Sequence, residues 1–150
     1  MVDPVVDPLS ALVHFACMNS VTAGVVLLLA CGNAAAEWSA VGGKQKIFAA
    51  YADKASIAKS GEGVQMFGLY DFLIPEFSAD GQPQGSTVVL REYDCTGKRV
   101  RLLAYVDYSG NMGTGKVISP PGAKGPARWE PIVEGALDDA FLAVACGKRN

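Results

Sequence analysis

The sequence predicts an α+β domain: an antiparallel β-sheet of about five to six strands with one C-terminal α-helix packed on one face. Three observations carry this. The chain of 150 residues is 50% hydrophobic and only 19% charged, the composition of one folded domain rather than of a disordered polymer or a charged coiled coil. Short apolar and aromatic runs follow one another through its middle, separated by Gly, Pro and polar clusters, as strands joined by turns do. The last segment then switches from strand-like to helical spacing of its apolar residues.

The first 36 residues read as an export signal. All 13 Lys and Arg lie after residue 36, and the 29 residues between Asp7 and Glu37 carry no charge. Val21 to Ala30 (VTAGVVLLLA) has the length of a signal-peptide apolar core, and Ala34-Ala35-Ala36 is a small-residue cleavage pattern. Cleavage is therefore expected after Ala36, leaving residues 37–150 as the mature domain. The usual positive residues ahead of the core are missing, and Met18 offers a second possible start beside Met1. Leu28-Leu29-Ala30-Cys31 resembles a lipobox, so acylation of Cys31 is the alternative to plain cleavage. A permanent membrane anchor is disfavoured by Gly24, Gly32, Asn33 and the alanine triplet. Either route leads out of the cytoplasm, to the periplasm or the outer cell surface.

Ile47 to Ala52 (IFAAYA) is apolar and aromatic, a strand, with turns expected at Asp53–Ser56 and Ser60–Gly63. Val64 to Leu73 carries apolar residues on both faces, which predicts a central strand. Pro75 to Gly85 is a loop by composition. Ser86–Cys95 and Lys98–Tyr108 are strands joined at Thr96-Gly97, with the spacing of a two-residue hairpin. That register pairs Cys95 with Lys98, Asp94 with Arg99, Tyr93 with Val100, Glu92 with Arg101 and Leu90 with Leu103. Ser109–Gly115 is a glycine-rich turn and Lys116–Ser119 a short strand. Val133, Leu137, Ala140, Phe141, Val144 and Ala145 follow helical spacing; Asp138 and Asp139 suit the helix start and Gly147 its end.

Cys17 and Cys31 fall in the leader, leaving Cys95 and Cys146 as an even pair in an oxidising compartment. A bridge between them would close a loop of roughly 50 residues, worth about 4 kcal/mol in the chain-entropy model. A redox or metal pair would need neighbouring thiols, which this spacing lacks. The bridge would tie the hairpin to the helix end, so the helix should cover the face of Cys95, Tyr93, Val100 and Leu102.

The chemistry-bearing patterns are sparse. The mature chain balances 13 acids against 13 bases, so it lacks the basic surface that nucleic acid requires. The only histidine of the 150 residues, His14, lies in the leader, which removes the usual serine-triad base and the commonest zinc ligand from the mature chain. Gly110-Asn-Met-Gly-Thr-Gly115-Lys116 matches a phosphate-loop pattern, but Val117 and Ser119-Pro120-Pro121 follow where a Ser or Thr and a helix are required, so no nucleotide is expected. No catalytic residue, metal or cofactor is expected. The predicted register leaves Val88, Leu90, Leu103 and Tyr105 on the sheet face away from the helix, rimmed by Glu92–Arg101 and Asp94–Arg99. Four apolar side chains ringed by charge have the composition of a ligand contact or a homodimer interface, or of a second small core covered by the same chain.

Several stretches together carry a family resemblance. Tyr51-Ala-Asp-Lys-Ala-Ser-Ile57, Gly63-Val-Gln-Met-Phe-Gly-Leu-Tyr-Asp71, Glu92-Tyr-Asp-Cys95, Tyr108-Ser-Gly-Asn-Met-Gly113, Trp129-Glu-Pro131 and Ala145-Cys146 resemble, in order, the surface-adhesin protein E family of bacterial exported proteins. The likeness spans nearly all of the mature chain, and its most specific parts are Glu92–Cys95 and Tyr108–Gly113. Lys54 stands where many members have proline, and Gly135-Ala136 where a serine cap is common. The resemblance implies a small antiparallel sheet with a C-terminal helix, a disulfide at the two cysteines, and non-enzymatic binding of a host extracellular-matrix or serum protein, with dimerisation in some members. The alternative is a periplasmic envelope-accessory protein without a host ligand. No binding residues carry over from the family.

Overall fold

The computed structural model describes residues 37–147 apart from 43–45, 62, 79 and 121. The expected leader over residues 1–36 lies outside the described residues. Six strands and one helix follow in chain order: β1 (Trp38–Ala40), β2 (Phe48–Ser60), β3 (Gly63–Phe77), β4 (Pro83–Asp94), β5 (Arg99–Tyr108), β6 (Glu130–Pro131) and α1 (Leu137–Ala145). Spatial order equals chain order, and every neighbouring pair is antiparallel, so the sheet is a simple meander with β3 and β4 at its centre. The helix lies on one face, as the period change at the C-terminus predicts.

The turn expected at Asp53–Ser56 is a bulge inside β2 instead. The Ala55 N–H donates to Asp53 Oδ1 at 3.0 Å, and the Ser56 hydroxyl donates to the Asp53 carbonyl at 2.6 Å. Those local bonds give the turn signal. The Ser56 hydroxyl also accepts the Phe67 N–H at 2.9 Å, so the segment stays stitched to β3, and pairing resumes at Ala58. The expected strand at Lys116–Ser119 reduces to a single bridge between Tyr108 and Val117.

The β4–β5 turn is longer than the expected two residues. Asp94 and Arg99 form the last rung, and Cys95–Lys98 make the turn, so Cys95 does not pair with Lys98. Asp94 Oδ1 accepts the N–H groups of Thr96 and Gly97 at 3.1 and 2.7 Å, and Lys98 takes the left-handed conformation (φ 48°). The lower rungs, Tyr93–Val100 and Glu92–Arg101, form in the predicted register.

The helix begins at Leu137, four residues later than its apolar spacing starts, and Val133 is exposed. Gly135 is left-handed (φ 77°) and breaks the run; its N–H donates to Asp139 Oδ2 at 3.0 Å, so Asp139 reaches back across the helix start, while Ala136 supplies no side-chain cap. Gly147 (φ 69°) ends the helix in the conformation expected of a terminating glycine. Phe141, Leu142 and Ala145 bury against Ala50, Ala52, Met66, Tyr93 and Val100 to make the core. Phe141 reaches the sheet because Gly68 beneath it has no side chain: a Cβ there would lie 3.2 Å from the ring. Cys95 and Cys146 are joined as a disulfide, with Cα atoms 5.8 Å apart, which fastens the β4–β5 turn to the helix end. Arg91 adds a second tie, donating to Asp138 at 2.6 Å while lying over the Tyr70 ring.

Candidate functional site

The two faces of the sheet follow from the register. Partners across antiparallel strands share a face, and alternate residues along a strand switch faces. Met66, Tyr93 and Val100 pack under the helix, so Phe67, Leu69, Val88 and Leu90 face away from it. Tyr51, paired with Leu69, and Ala104, paired with Leu90, extend that apolar stripe across β2 to β5.

A bulge in β5 reshapes the candidate interface. Arg91 pairs with Leu102, but Leu90 pairs with Ala104, so Leu103 is the extra residue and has no partner in β4. The predicted Leu90–Leu103 rung does not form. Beyond the bulge the register is offset by one residue, and Tyr105 pairs with Val89 on the helix side of the sheet. The four residues Val88, Leu90, Leu103 and Tyr105 therefore do not form one patch. Val88 and Leu90 remain together on the helix-free face, both half-buried. Phe67, Leu69 and Tyr51 belong with them, and the alternation of β3 was the signal that could have named Phe67 and Leu69.

One end of this face is covered by the chain itself. The Ser109–Gly115 loop folds over it through two buried polar residues, Asp71 and Ser86. Asp71 Oδ1 accepts the Met112 N–H at 2.6 Å and the Asn111 side-chain amide at 3.1 Å. The Ser86 hydroxyl donates to the Gly110 carbonyl at 2.6 Å and accepts the Gly113 N–H at 2.9 Å. Gly113 then lies against Val88, and Leu69 is fully buried. The same bonds occupy the amides that the phosphate-loop pattern would offer: those of Met112 and Gly113 point at Asp71 and Ser86, and that of Gly110 donates to the Thr114 carbonyl at 3.0 Å.

The other end is a charged ladder. Arg101 donates to the buried Glu92 at 2.7 Å from Nε, and Arg99 donates to Asp94 at 2.6 Å from Nη2. The Trp129 ring lies against both guanidinium groups, 4.5 Å from that of Arg101 and 5.2 Å from that of Arg99. The Gly97 amide and the Arg99 guanidinium hold the Asp94 carboxyl below the usual carboxylate range. On the opposite face burial pushes the Tyr93 and Tyr70 hydroxyls above the ordinary tyrosine value, so both are neutral hydrogen-bonding groups at physiological pH. No group of three or more His, Cys, Asp or Glu with metal-binding geometry occurs among the described residues.

An apolar strip of Phe67, Val88, Leu90 and Tyr51, closed at one end by a pinned loop and bounded at the other by paired charges, has the composition of a contact surface. The sequence profile of the surface-adhesin protein E family matches residues 38–147. The fold is similar to crystal form II of Haemophilus influenzae protein E (TM-score 0.55, 13% identity, covering 65% of this chain and 79% of that one). It is similar also to the Se-Met form of that protein (TM-score 0.55, 11% identity, 71% and 90%) and to protein E from non-typeable Haemophilus influenzae (TM-score 0.52, 12% identity, 71% and 75%). No curated protein matches the chain.

Proposed function

The chain belongs to the surface-adhesin protein E family, and on that premise we propose that it is an exported, non-enzymatic binding module that engages a protein partner such as a host extracellular-matrix or serum protein. The observation that carries the reading is the helix-free sheet face, where Phe67, Val88 and Leu90 are only partly covered by their own chain. A sheet face meant only for water is polar along its length. This one is apolar at its middle, and its flanking charges are already paired within the chain, so a partner covering it would meet no uncompensated ion. The same face is the candidate surface for a homodimer.

The test is binding of the full exported chain to immobilised matrix and serum proteins, with Leu90→Asp as the disrupting variant. Loss of at least tenfold in affinity, with an unchanged melting temperature, supports the face as the docking site; unchanged binding removes it. Light scattering at rising concentration reads the homodimer in parallel. Complete protection from added protease on intact cells would favour the periplasmic envelope-accessory reading over the adhesin.

A further inference from the structure

The bulge at Leu103 that takes Tyr105 off the helix-free face delivers it to a groove on the other side of the sheet. The helix is only nine residues long and lies against β2 and β3. Beyond it, Tyr105 and Asp107 form the floor of a half-open groove of about 500 Å³. The hairpin tip with Phe77, Asp80 and Gln84 makes one wall, and Ile118–Pro120 makes the other. This groove is separate from the sheet face discussed above and does not depend on it.

Its polar groups are held in place before any ligand arrives. Asp107 Oδ1 accepts the Gln84 amide at 2.9 Å and the Thr87 hydroxyl at 2.7 Å, and the Gln84 amide reaches the Thr87 oxygen at 2.7 Å. The Ser119 oxygen accepts the Asp107 N–H at 3.1 Å, which keeps its own hydrogen available to donate. Among the described residues, Asp107 Oδ2, Gln84 Oε1 and the Tyr105 hydroxyl have no hydrogen-bond partner. The groove thus offers fixed acceptors and donors side by side. Phe77, 71% exposed, and the Tyr105 ring add aromatic surface.

We propose that this groove binds a neutral oligosaccharide. Hydroxyl-rich rings need both donors and acceptors at fixed positions, and their C–H faces pack on aromatic rings. No Lys or Arg lines the groove, Lys116 near its wall acts on the Asp80 carboxylate, and Asp80 and Asp107 both contribute negative charge, so phosphate, sulfate and carboxylate ligands are disfavoured. A peptide cannot add as a strand, because the outer edge of β5 is taken: the Ile118 N–H bonds the Asp107 carbonyl, and the Tyr105 N–H bonds the Ala123 carbonyl. The half-open shape suits a chain of sugar units passing through it rather than an enclosed small molecule.

The test is ligand-observed NMR on the full exported chain with four probes: cellotetraose, tetra-N-acetylchitotetraose, sialyllactose and tetralysine. The two neutral tetrasaccharides separate a plain glucan source from an N-acetylated one. At least one should bind, and more tightly than sialyllactose. Phe77→Ala, at an exposed position that the fold does not need, and Asp107→Asn should each weaken that binding at least tenfold, whereas Lys59→Ala should not. The proposal is overturned if neither neutral probe binds, if Phe77→Ala and Asp107→Asn bind as wild type, or if only tetralysine binds, which would assign the groove to basic side chains.

Discussion

Single residues decide how much of the helix-free face is open. Asp71 lies at the centre of the clamp, with two donors of the Ser109–Gly115 loop on one carboxylate oxygen. Asp71→Ala takes the partner from the Met112 N–H, while the Asn111 amide keeps the Phe72 carbonyl at 3.0 Å, so the cost is about 1–3 kcal/mol. Hydrogen exchange at Met112 should then rise far more than exchange at Tyr93, which lies under the helix; equal rises would mean global rather than local opening. Asp94 is legible at this scale as well, since the pairing of Asp94 with Arg99 follows from hairpin spacing alone. What spacing does not show is that Asp94 also caps its own turn. Its carboxyl is held below the ordinary value by the Gly97 amide first and Arg99 second. A lowered folded-state value contributes stability that is complete above the ordinary carboxylate range and is lost as pH falls through the lower, folded value. Urea midpoints measured from pH 6 downward should therefore fall in acid less for Asp94→Asn than for wild type, and parallel curves would show that the turn does not depend on this charge.

At the scale of elements, the helix and the sheet are locked by one ring over one glycine. Phe141 is 1% exposed, and Phe141→Ala should cost about 3–5 kcal/mol because the vacated space cannot collapse onto a rigid sheet. Gly68→Val has the opposite fault. Its Cβ would sit 3.2 Å from the Phe141 ring and 3.3 Å from Val89, so the two extra methyl groups should push the helix off the sheet. Chemical denaturation of both variants reads this, and a Gly68→Val protein as stable as wild type would show that the helix packs with slack. The central place of β3 and the pairing of β4 with β5 were readable because each rests on local pattern. The bulge at Leu103 was not, because Leu102 and Leu103 are both apolar and alternation gives no sign of which is the extra residue. A one-residue offset changed the face of Tyr105 and with it half of the predicted interface.

For the whole molecule, the Cys95–Cys146 bridge spans 51 residues and joins the β4–β5 turn to the end of the helix. Replacing both cysteines by serine should lower stability by about 4 kcal/mol, mainly by freeing the unfolded chain, with the folded near-UV spectrum retained. A melting temperature unchanged on reduction would mean that the helix needs no tether. The sequence by itself determined an antiparallel sheet, the helix with its acidic first turn, and the family, because hydrophobic period, turn residues and short motifs are local properties of the chain. Only the tertiary structure decided the sheet order and which face the residues beyond the Leu103 bulge occupy. A bulge shifts every side chain beyond it, and whether the glycine-rich loop covers the sheet depends on Asp71 and Ser86, which stand far from that loop in sequence and meet it only once the strands have paired.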